Sequence, residues 1–75
     1  MNLQDGVIGR TYRVENVDLP LELERRMEAL GILDGTQITV LNRKSHGALI
    51  IFVRGTRFAI GNGIAQHITV REDKE

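Results

Sequence analysis

The segment Ile50-Ile-Phe-Val-Arg-Gly-Thr-Arg-Phe-Ala-Ile60 leaves this chain the least conformational choice, because two apolar runs rich in strand formers flank a single glycine. Such a pattern predicts a hairpin with a two-residue turn. Gly55 takes the first central position, where a type II′ turn needs positive φ, and Thr56 takes the second. With that turn Arg54 pairs with Arg57, Val53 with Phe58, Phe52 with Ala59 and Ile51 with Ile60, since cross-strand partners share a face. One face, Ile51, Val53, Phe58 and Ile60, is wholly apolar and is expected in the core. The other carries Ile50, Phe52 and Ala59 with a basic end made by Arg54 and Arg57, and it is a candidate binding surface.

The remaining elements are short. Thr11-Tyr-Arg-Val-Glu-Asn-Val17 alternates as a strand does, with Tyr12 and Val14 on one side and Val17 out of phase, which predicts a bulge or strand end there. The residues before it are expected to be loose. From Leu19 to Leu30 the period changes to that of a helix, with Leu19, Leu23, Met27 and Leu30 on one stripe, Pro20 near the first turn and Gly31 at the C-terminal cap. Its other side, Glu22, Glu24, Arg25, Arg26 and Glu28, has the mixed charge of a solvated face. Asp34-Gly35 turns the chain into a strand at Thr36–Val40 with Ile38 and Val40 inward, and Asn42 to Gly47 forms a polar loop. After the hairpin, Gly61-Asn-Gly63 breaks the ladder, Ile64-Ala-Gln66 suits one helical turn, and His67–Val70 makes a last strand before a charged tail from Arg71 to Glu75 that is expected to fray. The sum is a mainly β fold: a small SH3-like barrel of about five strands, one helix inserted after the first strand and a short helical turn before the last.

Composition closes off several functions. A single domain spanning all 75 residues, with its core in about residues 7–70, buries only about 60% of its unfolded surface and leaves little room for a deep substrate cavity. Ten basic and ten acidic residues cancel, so the overall positive field of a dedicated nucleic-acid binder is missing. Without cysteine there is neither a disulfide framework nor a thiolate metal site. The N-terminal residues do not form a charged segment followed by an apolar signal core, and no apolar run approaches membrane-spanning length, so the cytoplasm is the expected address, without direct membrane insertion.

Catalytic and cofactor signatures are equally sparse. Ser45 and His46 are sequence neighbours, which does not create the geometry of a nucleophile and its base, and no glycine-rich loop leads through Lys-Ser or Lys-Thr into a helix. His46 and His67 stand alone, with no second ligand at short spacing, and Glu24 and Glu28, four residues apart, have Arg25 and Arg26 beside them. No catalytic residue, cofactor or metal ligand is assigned.

The run Arg25-Arg-Met-Glu-Ala-Leu-Gly-Ile-Leu-Asp-Gly35, followed by a strand and then by Val53-Arg-Gly-Thr-Arg-Phe-Ala-Ile60, resembles the FeoA family, small cytosolic components of bacterial ferrous-iron uptake. The match runs over nearly the whole chain, and the order and separation of its two pieces make the pair specific. The resemblance implies an SH3-like barrel and a non-enzymatic role beside a membrane ferrous-iron transporter that carries a cytosolic GTP-binding domain, with any membrane association passing through that partner. One departure is that Asn42-Arg-Lys-Ser-His-Gly47 is compact and has no proline, whereas family members often carry a longer proline-containing loop there.

Two surfaces are therefore candidates for the partner: the mixed hairpin face, with Ile50 and Phe52 as apolar anchors and Arg54 and Arg57 as charged contacts, and the helix C-terminal corner with Leu30, Gly31 and Gly35. For the first, two arrangements stand. Either Ile50 and Phe52 face a partner, or the helix covers them through Leu19, Leu23 and Met27 and leaves only the arginines outside. The alternative function is nucleic-acid binding through a local patch of Arg43, Lys44, Arg54 and Arg57, against which neutral net charge and only three aromatic residues argue.

Overall fold

Alternation and period translate directly into elements in the computed structural model, which describes residues 1–73. Strands β1 (Thr11–Val17), β2 (Gln37–Arg43), β3 (Leu49–Val53), β4 (Thr56–Ile60) and β5 (Ile68–Glu72) form one antiparallel sheet in the order β4-β3-β2-β1-β5. Helix α1 (Leu21–Ala29) links β1 to β2, and the single turn α2 (Asn62–Ala65) links β4 to β5. That last link bends the sheet. Consecutive strands β4 and β5 lie at opposite ends of a five-strand order, about 19 Å apart if the sheet were flat at the usual strand spacing. The seven linking residues are wound from Gly61 to His67 by α2 and the hydrogen bonds from Ile64 N to Gly61 O and from His67 N to Ile64 O, which draws the two strands together, so the sheet curls into the SH3-like barrel.

The inward face is continuous: Tyr12 and Val14 of β1, Ile38 and Val40 of β2, Leu49, Ile51 and Val53 of β3, Ile60 of β4, and Ile68 and Val70 of β5 are all buried. Met27 of α1 and Ile32 after it join from one side, Ala65 of α2 from another. The buried Tyr12 keeps its hydroxyl satisfied by accepting a hydrogen bond from the Val7 backbone N–H at 2.8 Å. Helix α1 begins one residue after Pro20, which serves as its N-cap, and it stops at Leu30 because Gly31 adopts φ +91° and reverses the chain.

Several expectations need correction. The residues before β1 are ordered: Leu3 is fully buried in a 3₁₀ turn (Leu3–Asp5), Asn2 bridges Thr69, and the Met1 carbonyl accepts from Val70 N at 2.8 Å. An apolar residue there completes the core and covers the outer edge of β5. The tail does not fray at Arg71 either, since β5 runs to Glu72 and Asp73 hydrogen bonds Gln37; Lys74 and Glu75 lie outside the described residues. The β1 irregularity falls between Val14 and Asn16 against β5, earlier than Val17. Strand β2 extends to Arg43, absorbing Asn42 from the expected loop, and carries a bulge: Val40 pairs with Ile51 and Asn42 with Ile50, leaving Leu41 as the extra residue.

The hairpin turn is displaced by one residue. Val53 pairs with Thr56, Phe52 with Arg57, Ile51 with Phe58, Ile50 with Ala59 and Leu49 with Ile60, so Arg54 and Gly55 are the central residues, with φ of 50° and 84°. Positive φ at both positions makes the turn type I′ rather than II′. The β-branched Thr56 thereby adds a pair to the ladder, and Arg54 accepts a left-handed backbone in place of a partner. Moving a turn by one residue moves the pairing by two, so the division into faces is preserved while every pairing across the strands changes.

Candidate docking surface

Because the faces survive, Ile50, Phe52, Arg57 and Ala59 share the outer side of the β3–β4 hairpin. Phe52 is 42% exposed, which decides between the two arrangements open to it: α1 does not cover this ring. Ile50 is half-buried and Arg57 exposed. Leu41, Asn42 and Lys44 of the β2 end meet Ile50, Arg57 and Ala59, together with Phe58, around a shallow depression of about 520 Å³. The bulge matters here, since it sets Leu41 and Asn42 both opposite Ile50 and so widens β2 where the depression lies. Its floor is mainly apolar and its charged members, Lys44 and Arg57, are both basic.

Arg54 belongs elsewhere. Its turn position sends the side chain back over the end of α1, where a Cβ built on Gly31 would sit 2.9 Å from Arg54 Cδ. The expected adjacency of Arg54 and Arg57 is therefore corrected: one guanidinium stays on the outer face, the other joins the helix corner. There Arg54, Arg13 and Gly35 line a second hollow of about 400 Å³ with Leu33, Asp34 and Thr36. Gly35 holds φ +85°, its N–H donates to Val14 O at 2.7 Å and its carbonyl accepts from Arg13 Nη1 at 2.9 Å. Leu30 is half-buried against the core and Gly31 is buried. The seven candidate residues thus form two separate places, Ile50, Phe52 and Arg57 on the hairpin, and Leu30, Gly31, Gly35 and Arg54 at the corner.

The basic patch weighed for nucleic acid does not assemble. Arg43 donates from Nη2 to the Gly6 carbonyl at 2.9 Å and so secures the N-terminal segment, Arg54 lies over Gly31, and only Lys44 and Arg57 share a hollow. Acidic groups Glu24, Glu28 and Asp34 line a further hollow with Ile32 and Leu33, yet among the described residues no group of three or more His, Cys, Asp or Glu is placed to hold a metal ion. No helix among the described residues is long and apolar enough to cross a membrane. Sequence reasoning placed Ala59 on this face and Lys44 only in the basic patch, and it missed Leu41, Asn42 and Phe58 as members of the surface. The signal present was Val40-Leu41, two apolar residues in succession where alternation calls for a polar one.

Comparison with known proteins agrees with this fold. The FeoA domain matches residues 1–72. A Methanocaldococcus jannaschii protein named as an Fe(2+) transport protein A is 34% identical over 67 residues, 89% of this chain and 79% of the relative. A crystal structure of an iron uptake regulatory protein, FeoA, superposes with a TM-score of 0.83 at 34% identity, covering 95% of this chain and 93% of that one. The Stenotrophomonas maltophilia FeoA, crystallised with zinc and described as an SH3-domain protein proposed to act as a ferrous-iron transport activating factor, matches with a TM-score of 0.80 at 28% identity, covering 95% and 89%. With a domain match over all but the last three residues, the chain belongs to the FeoA family.

Proposed function

We propose that this chain is a non-enzymatic accessory protein of ferrous-iron uptake, acting in the cytoplasm by docking on the cytosolic, GTP-binding part of a membrane iron transporter and modulating it. The observation that carries the reading is Phe52, an aromatic side chain left exposed on the outer sheet face, in register with Arg57 and next to the apolar floor at Ile50. A ring flanked by Thr39 and Arg57 across the strands, with Ile50 beside it on the same face, supplies the aromatic anchor that protein interfaces concentrate at their centres. Family membership and the iron-transport names of the relatives support the link to ferrous-iron transport, and the choice of a GTP-binding transporter as partner is part of the proposal.

The test is a titration of labelled protein with the isolated cytosolic domain of the transporter, in GTP-bound and nucleotide-free states. Saturable binding is expected, weakened about tenfold or more by Phe52→Ala and by Arg57→Glu. Because Phe52 is already exposed, the alanine variant retains its fold. Undiminished binding by both variants would remove the hairpin face from the interface, and no binding in either nucleotide state would remove that domain as the partner.

A further inference from the structure

The two ends of the sheet are treated differently by the chain. The outer edge of β5 is closed by the N-terminal segment, through the Asn2–Thr69 bridge and the Val70 N–H to Met1 carbonyl hydrogen bond. The outer edge of β4 pairs with nothing among the described residues. Hydrogen-bonded and non-hydrogen-bonded pairs alternate along an antiparallel ladder, and in a hairpin with a two-residue turn the closing pair, Val53 and Thr56, is a hydrogen-bonded one. Arg57 and Ala59 are then the residues whose N–H and carbonyl groups point away from β3. These same two residues line the depression shared with Ile50 and Lys44.

We infer that the β4 edge accepts an extended acidic segment of a partner protein as a sixth strand, its backbone pairing with Arg57 and Ala59 and its outer-face carboxylates meeting Arg57, with Lys44 adding positive potential from across the depression. The inference rests on the reading of this hairpin as a docking surface, but not on which protein supplies the strand. Charge selects the occupant. Neither Lys44 nor Arg57 makes an ion pair among the described residues, and no acidic side chain lines the hollow, so an incoming carboxylate meets no repulsion. A second copy of this chain would bring its own Arg57 to the junction, which disfavours self-pairing. Strand addition supplies affinity through main-chain hydrogen bonds and selectivity through alternate side chains, and an alternating acidic and apolar segment would place its apolar residues beside half-buried Phe58 on the inner side.

The probe is a six-residue, end-capped peptide alternating Glu with Val or Ile, set against a control in which each Glu is Lys, titrated to millimolar concentration into isotope-labelled full-length protein and followed by NMR. The acidic peptide is expected to protect the Arg57 and Ala59 amides from hydrogen exchange, while the basic one leaves them unchanged. Lys44→Glu with Arg57→Glu should weaken the acidic peptide about tenfold and reverse the preference. Ala59→Pro removes one outward N–H at an edge position that tolerates proline, and should abolish protection while the rest of the spectrum stays native. Equal binding of both peptides, no protection of these amides, or protection arising from protein concentration alone would overturn the inference. Since no transporter is present, failure here leaves docking on the transporter standing, and success here with no transporter binding would overturn that reading instead.

Discussion

Arg54 and Gly31 show how one residue's backbone is made tolerable by another's lack of a side chain. A left-handed conformation disfavours an L-residue by roughly 1–2 kcal/mol, and Arg54 adopts one at φ 50°. Its aliphatic stem lies over Gly31, whose own φ of +91° already calls for glycine. Gly31→Ala is therefore doubly unfavourable, since the new methyl group would be strained by its backbone and would meet Arg54 Cδ at 2.9 Å. A loss of about 1–2 kcal/mol in chemical denaturation is expected. Arg54→Asn should act in the opposite direction, because Asn-Gly is the preferred pair of a type I′ turn, and a gain of about 0.5–1 kcal/mol is expected by the same measurement. A loss instead would show that the contact of the arginine stem with the helix corner outweighs the backbone strain.

Elements hold together here partly through a polar clasp that only the folded sheet creates. Gln37 of β2 donates to Asp73 Oδ2 at 2.7 Å, and Arg13 Nε of β1 lies 3.3 Å from Asp73 Oδ1, so the residue after β5 ties three consecutive strands of the sheet order. The Gln37 hydrogen bond chiefly, with the Arg13 charge behind it, holds the Asp73 carboxyl below its ordinary value of 3.8. A depressed carboxyl stabilises the folded state above its unfolded pKa, and the contribution is lost as pH falls through the folded one. The stability difference between the native chain and Asp73→Asn should accordingly be constant from neutral pH to about pH 5 and shrink below 3.8. Equilibrium unfolding at a series of pH values measures it, and a difference that grows on acidification would contradict the clasp. None of this was visible in a tail read only as charged. By contrast, the faces of the hairpin were legible although its turn was misplaced, because side-chain alternation has a period of two and the misplacement shifted the pairing by two. The site was legible to the extent that it depends on alternation, which found Ile50, Phe52 and Arg57. It was not legible where it depends on the bulge at Leu41 and on the path of Arg54, both set by neighbours distant in sequence.

At the scale of the whole molecule, a 75-residue chain has little stability to spare, and its N-terminus is where that is most exposed to test. A core of this size rarely supplies more than about 3–5 kcal/mol net. Leu3 is fully buried, its turn receives Gly6 N at 2.9 Å, and Gln4 donates to the Gly47 carbonyl at 3.1 Å, so the segment joins β5, the β2–β3 loop and α2 into one closed body. It also covers the outer edge of β5, while among the described residues the outer edge of β4 pairs with nothing. Leu3→Ala removes a buried isobutyl group and should cost about 2–5 kcal/mol, a sum comparable with the entire net stability. The expected result is a protein unfolded or nearly so at room temperature by circular dichroism. Leu3→Met, which keeps volume and apolarity, should lose under about 1.5 kcal/mol and remain folded. If Leu3→Ala instead melted within a few degrees of the native chain, the N-terminal segment would be a cover on a self-sufficient barrel. The bare β4 edge would then be one of two available edges, and hydrogen exchange at the Val70 amide, which donates to the Met1 carbonyl, would reveal the second in that variant.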